Sequence, residues 1–322
     1  MIMRATAKIS AHNRVDGDGR SQVSLAELIA LRARVTRARM PPLPSRAARS
    51  GQQSSRLYGR GMDYAESRVY QAGDDVRRLD WRLTARSGKL HTKLFQEDRE
   101  GCLLILLDTH ASMRFGTRLR FKSVQAARAA ACAAWYAVHA GERVGVMAFG
   151  SVDHLLRPQA GSRGALAVCG ALAEWDASRT IPNESPDREE PLADALTRAG
   201  RLLHGASRVL LISDGFSCDV SARPRLLDLT RHAGVSVLIV ADALEQALAP
   251  PGRYPLEYAG ERTEVLLQSE RQRREFQQAL GVGPARLGAL AQSLGLRHCG
   301  IDTVSDPYAA VATLFGNTRP GR

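Results

Sequence analysis

Cys102-Leu103-Leu104-Ile105-Leu106-Leu107-Asp108-Thr109-His110-Ala111-Ser112-Met113 is the stretch on which the fold turns. Its unbroken apolar run, Cys102 to Leu107, reads as a strand buried on both faces, and the abrupt change at Asp108 marks where the chain leaves the core. A strand covered on both faces needs helices above and below it. Downstream the chain supplies them in alternation: a long Ala-rich helix over 119–140, a strand over 144–149, a helix over 192–203 and a strand over 209–212. A helix near 224–232, a strand over 235–240, a helix near 270–294, a short strand over 297–301 and a final helix near 307–314 complete the series. Repeated strand–helix units predict an α/β fold, a doubly wound and mainly parallel sheet over residues 101–316, with 317–322 as a tail.

Upstream the text changes character. Residues 1–55 mix Arg, Ser, Gly and Pro, and the first 60 residues carry +9 of the chain's net charge of +12, so the body is close to neutral. One helical stretch, 25–39, interrupts this basic arm; Ser24 is placed to cap it, with Glu27 completing a capping box. The stripe of Leu25, Leu28, Ile29 and Val35 on an Arg-rich helix fits either a solvated helix lightly docked on the body or a contact with an anionic surface. The rest of the arm is expected to be flexible. Residues 56–100 form a third region, dense in charge and glycine, that closes with an alternating strand pattern over 90–95.

Five cysteines (Cys102, Cys132, Cys169, Cys218 and Cys299) stand without close pairs, a pattern of buried, reduced thiols that implies a cytoplasmic setting. Zinc would need spacings such as CxxC. No apolar run approaches the ~20 residues that span a bilayer, and the N-terminus has no hydrophobic segment of the kind a secretory leader needs.

In open α/β sheets ligands collect beyond the carboxyl ends of the strands. Two such ends carry carboxylates: Asp108-Thr109-His110-Ala111-Ser112 and Ser213-Asp214-Gly215. Asp and Ser oxygens suit a hard cation such as Mg2+. This arrangement resembles the metal-ion-dependent adhesion site of von Willebrand A domains, an Asp-x-Ser-x-Ser loop, a later Thr and an Asp-Gly. Asp108, Ser112 and Asp214 match that pattern, His110 stands at its first Ser, and by spacing the place of the Thr falls at Glu190. The resemblance therefore implies a degenerate site, holding Mg2+ or another divalent cation if any cofactor at all. The competing reading makes Asp108 and Asp214 hydrogen-bonding caps of their loops.

The most distinctive text is Arg68-Val69-Tyr70-Gln71-Ala72-Gly73-Asp74-Asp75-Val76-Arg77-Arg78-Leu79-Asp80-Trp81, followed by Ala85-Arg86. It resembles the signature of the bacterial family called domain of unknown function 58, with Leu79 in place of Ile, a segment that precedes a von Willebrand A-like domain in that family. Alternating Arg and Asp around Gly73 predict a turn pinned by charge-assisted hydrogen bonds, serving as a structural clasp or as a surface that a partner reads. Arg68, Tyr70, Gly73, Asp74, Asp75, Arg77, Asp80, Trp81 and Arg86 compose it.

A phosphate loop, a GxSxG elbow and an HExxH helix are all missing from the sequence, and Gly281-Val282-Gly283 lacks the spacing of a dinucleotide fingerprint. An enzyme is therefore not expected. Nucleic-acid binding through the basic arm is the alternative, against which stands the scarcity of aromatics there: Tyr58 alone lies in the first 60 residues. The family resemblance implies instead a non-catalytic adaptor that partners a MoxR-type AAA+ ATPase in chaperone-like maturation of other proteins. The motifs do not specify the client protein. Asp108, Ser112 and Asp214 are expected to line the recognition face.

Overall fold

The computed structural model describes residues 16–37, 62–71, 73–97, 101–178, 189–203, 207–258 and 261–315. They fall into two compact units, one drawn from 1–45 and 101–322, the other from 46–100. The predicted tail, and the arm on either side of 16–37, lie outside the described residues.

The small unit is an antiparallel pair, β1 (Met62–Val69) with β2 (His91–Glu97), bridged by a 3-10 turn at Val76–Arg78 and a helix at Trp81–Ser87. In the large unit a six-stranded sheet is built from β3 (Cys102–Asp108), β4 (Arg143–Phe149), β5 (Leu155–Gln159), β6 (Ser207–Ser213), β7 (Ala233–Ala241) and β10 (Arg297–Asp302). Its order is β10-β7-β6-β3-β4-β5, parallel throughout except for β5, which runs antiparallel to β4. A further hairpin, β8 (Gly252–Tyr258) with β9 (Glu261–Leu267), stands outside this sheet. The expected doubly wound, mainly parallel α/β sheet is what the chain forms.

Both faces are covered, as the apolar run of β3 demands. Leu103, Ile105 and Leu107 pack into one core with the helix Lys122–His139, while Leu104 and Leu106 point into the other with the helices Leu192–Leu202, Ala222–His232 and Val282–Ser293. The helix Lys122–His139 is buried from Lys122 to Ala137. Its alanines let the sheet, the helix Gly161–Ser178 and the helix Pro307–Phe315 approach it closely on several sides.

The N-terminal helix differs from the lightly docked helix the sequence suggests. It forms two short pieces, Leu25–Ala30 and Arg32–Arg37, and Leu28, Leu31 and Val35 are buried in the same core as Trp135. Trp135 Nε1 donates to Leu28 O at 3.1 Å, and Val23 N donates to Asp176 at 2.8 Å. Ser24 caps the first piece as expected, but the Glu27 carboxylate turns away from the cap and pairs with Arg128 Nε at 2.8 Å. Burying three aliphatic side chains, each worth about 1.5–3 kcal/mol, makes residues 16–37 part of the domain.

Candidate functional site

Strand order reverses at β3, which has β4 on one side and β6 on the other, so the carboxyl ends of β3 and β6 flank the crevice. Asp108 ends β3, and Ser213 ends β6 with Asp214-Gly215 directly after it. The topology brings these together as the sequence suggests, but it buries them: Asp108 is 1% exposed and Asp214 0%. Neither can line a recognition face, and the expectation that they do is corrected on that ground.

Each carboxylate is committed inside the protein. Asp108 Oδ1 accepts from the His110 backbone N–H at 2.9 Å and lies 2.7 Å from His110 Nδ1; its Oδ2 accepts from Ser213 Oγ at 2.5 Å. Ser213 Oγ in turn accepts from Gly215 N at 2.9 Å. The His110 ring stands edge-on to Phe149, with centroids 5.8 Å apart. Gly150 closes over that ring so tightly that a Cβ there would fall 2.6 Å from Nδ1.

The sequence reading missed the central group of the cluster, Lys122. As the first residue of its helix it sends a fully buried side chain inward, where Nζ donates to Asp214 Oδ2 at 2.8 Å and to Glu245 Oε1 at 2.5 Å. The rings of Phe115 and Phe216 flank the ammonium at 5.7 and 5.2 Å. Asp214 Oδ1 accepts from Phe216 N at 3.1 Å, and Glu245 Oε2 accepts from Asp242 N at 2.8 Å. Asp242 caps the next turn and also holds Thr117, through N at 2.9 Å and Oγ1 at 2.5 Å, and Thr303 Oγ1 at 3.2 Å. Gln125 Nε2 completes the set by donating to Asp302 O and Ser305 O. The approach and first turn of one helix thus tie the loops after β6, β7 and β10 together. Lys122 is the one lysine of this Ala-rich helix, which also carries Ser123, Gln125 and Arg128, so its residue type alone did not mark it as part of the site.

Burial alone would raise the Asp108 carboxyl, but the hydrogen bond and charge of His110, with Ser213, hold it below its ordinary range. For His110 burial works downward and is outweighed by Asp108, then by Glu189 and Asp214, so the imidazole sits above 6.5. Burial and the neighbouring Asp108 charge push Asp214 up against the pull of Lys122. Lys122 itself is held above its ordinary value by Asp214 and Glu245 despite its burial.

These donors do not fit a divalent cation. All the carboxylate oxygens of Asp108 and Asp214 already accept hydrogen bonds, and a fixed ammonium occupies the place between Asp214 and Glu245. Of the expected ligands only Ser112 keeps an Oγ without a hydrogen-bond partner. Glu190 turns away to Arg198, with Nε–Oε1 at 3.1 Å and a second contact at 2.5 Å. It is the preceding Glu189 that reaches the loops after β3 and β4, accepting from Ala111 N at 3.4 Å and Ser151 Oγ at 2.7 Å. Among the described residues no cluster of three or more His, Cys, Asp or Glu is arranged to hold a metal. The loop-capping reading of the two aspartates accounts for the hydrogen bonds observed.

In the small unit the signature residues pin one another. Arg68 reaches Asp74 Oδ1 at 2.7 Å while Asp74 Oδ2 accepts from Gln71 N, closing a turn that Gly73 takes at φ +110°. Asp75 caps the 3-10 turn through Arg77 N, and Tyr70 N donates to Leu90 O across the unit. Asp80 caps the next helix through Leu83 N at 3.0 Å and accepts from Ser67 Oγ at 2.8 Å. Those bonds hold Asp74 and Asp80 below the ordinary carboxylate range. Arg77, Arg86 and Trp81 face solvent.

An uncharacterized protein of Mycobacterium tuberculosis (strain H37Rv) is 40% identical over 89 residues, which is 28% of this chain and 28% of that protein. The chain thus matches only about a quarter of the length of its curated relatives. Solved structures that align with the chain include an aerotolerance-related membrane protein from Bacteroides fragilis, at 13% identity and TM-score 0.42, covering 67% of this chain and 96% of the other. A von Willebrand factor type A protein from Catenulispora acidiphila aligns at 14% identity and TM-score 0.37, over 70% of this chain and 43% of the other. The family described as "Protein of unknown function DUF58" matches residues 66–282, which take in both the signature segment and the strand-end cluster, and the chain belongs to that family.

Proposed function

We propose that this chain is a non-catalytic protein-binding adaptor whose signature segment presents the surface a partner reads. The observation that carries this is Trp81, 67% exposed at the first turn of its helix, with Val76 at 60% and Val69 at 53% in the same unit. Exposed Trp beside Arg is the composition of interface hot spots. The unit also exposes Arg77, Arg78, Arg82 and Arg86, which favours an acidic partner surface. Asp80 and Arg68 fix the backbone that carries the ring, which lowers the ordering cost of binding.

The rest of the molecule supports a scaffold role. The acids at the strand ends are engaged with Lys122, His110 and backbone amides, and burial pushes the Cys132 and Cys169 thiols up to about 12, out of the nucleophilic range at neutral pH. The partner implied by the family resemblance is a MoxR-type AAA+ ATPase, which would supply nucleotide chemistry while this chain supplies recognition. We place that work in the cytoplasm, where five unpaired thiols stay reduced. Among the described residues no helix is long and apolar enough to cross a membrane.

The test is a direct affinity measurement between the purified chain and a MoxR-type ATPase of the same organism. Trp81→Ala is expected to weaken binding at least ~tenfold, about 1.4 kcal/mol, with the melting temperature of the chain unchanged. Absence of binding by the wild type, or full affinity in Trp81→Ala, would overturn the proposal.

A further inference from the structure

We infer that Lys122 is the resident cation of the strand-end cluster: its tethered ammonium joins the loops after β6 and β7, the task a bound divalent ion would perform, so the cluster assembles without metal. The inference is independent of the adaptor reading.

Geometry carries it. Nζ lies 2.8 Å from Asp214 Oδ2 and 2.5 Å from Glu245 Oε1, so one ammonium bridges carboxylates from two different loops. The remaining oxygen of each carboxylate is taken by a backbone amide, Phe216 N for Asp214 and Asp242 N for Glu245, leaving neither acid an open oxygen toward a second cation. Phe115 and Phe216 close over the ammonium, and the Lys122 side chain is 1% exposed, so water and mobile ions are kept from it. Asp108, which would have to join any metal, has Oδ1 on His110 and Oδ2 on Ser213. A hydrated Mg2+ demands near-octahedral oxygen ligation and sheds water reluctantly; entering here it would have to displace an ammonium covalently attached to the core helix. A tether also makes the cation's effective concentration independent of the solution, so the loops are held at any ionic composition.

The converse follows from the same contacts. Without the ammonium, Asp214 and Glu245 become two buried, uncompensated carboxylates facing one gap, which is the donor set that a hard divalent ion takes.

Thermal unfolding of the full chain in chelator, and then in millimolar MgCl2, CaCl2 or MnCl2, tests this, together with elemental analysis of the protein as purified. An ion bound at about 100-fold its Kd would raise the melting temperature by on the order of 5 °C. The wild type is expected to show no rise of that size and no stoichiometric divalent metal. Lys122→Ala is expected to melt well below the wild type and to regain part of the loss on addition of MnCl2. If Lys122→Ala does not fold, Lys122→Met is compared with Lys122→Met/Asp214→Asn/Glu245→Gln, whose neutral cluster should melt higher. A saturable metal-induced rise in the wild type that Asp214→Asn abolishes would overturn the inference. So would a soluble Lys122→Ala protein that melts like the wild type, or a triple variant no more stable than Lys122→Met.

Discussion

His110 Nδ1 lies 2.7 Å from Asp108 Oδ1, and the same oxygen accepts the His110 backbone N–H at 2.9 Å. Because Asp108 is ionised, Nδ1 carries the proton, and the ring is fixed in that orientation by Phe149 and the Gly150 backbone. The pair sets a pH window. The His110 pKa is raised in the folded chain, so its stabilisation is complete below the unfolded value near 6.5 and declines as pH rises through the higher folded value. Asp108 is lowered, so its share is present above the ordinary carboxyl value of 3.8 and declines as pH falls through the lower folded value. His110→Ala is expected to cost about 1–3 kcal/mol in urea unfolding at pH 6 and distinctly less at pH 9. An equal loss at both values would show that the imidazole contributes packing and no charge.

Leu28 is fully buried and its carbonyl receives the Trp135 indole N–H, which makes the N-terminal helix a test of where the domain begins. Leu28→Ala is expected to destabilise the whole α/β unit by about 2–5 kcal/mol, in a single transition measured by urea denaturation. A change below ~0.5 kcal/mol would mean that residues 16–37 dock without contributing to the core.

The contrast between these two sites explains what was legible in the sequence. Strands β3, β4, β6 and β7 could be read because their side chains are buried on both faces, or nearly so, and the pattern is local, whereas β10, an edge strand, buries only Ile301. The helix Gly161–Ser178 was missed because Gly161, Gly164 and Gly170 argue against a helix, whereas packing on the central helix sustains one. Strand β5 was hidden by Pro158, which an edge position tolerates. The predicted helix 270–294 breaks at Gly281 into Glu270–Leu280 and Val282–Ser293. The two aspartates of the site were visible as strand ends, but Lys122 and Glu245 were not. Nothing within a few residues of either reveals a contact made across 123 positions.

That helix break also gives the Gly281-Val282-Gly283 motif a packing role. A Cβ on Gly283 would lie 2.7 Å from Asp214 O and 2.6 Å from the Phe216 ring, so the glycine lets the helix Val282–Ser293 lie against the turn that carries Asp214. Gly283→Ala is expected to cost about 1–3 kcal/mol by displacing that turn, and to increase amide exchange at Gly215 and Phe216. Gly288→Ala, whose Cβ would meet only Ile239 at an ordinary 3.5 Å, is the control and should be neutral or slightly stabilising.

Asp80 connects the signature turn to the exposed ring of Trp81. Its Oδ1 caps the helix Trp81–Ser87 at Leu83 N, its Oδ2 takes Ser67 Oγ from β1, and its own N–H donates to His91 O on β2. Asp80→Ala removes the two side-chain bonds and keeps the backbone one, so the strands should stay paired while the first turn of the helix loosens. Hydrogen exchange is expected to accelerate at Leu83 and Thr84 and to remain slow in β3, β6 and β7, with the melting temperature of the large unit unmoved. Partner binding should fall with the loosened turn even though Trp81 is still present. Asp80→Asn, which retains an oxygen for the cap, should restore both readouts in large part. If exchange accelerates in Asp80→Ala while affinity holds, the Trp81 ring does not need a fixed backbone, and the pinned turn serves the fold of the small unit alone.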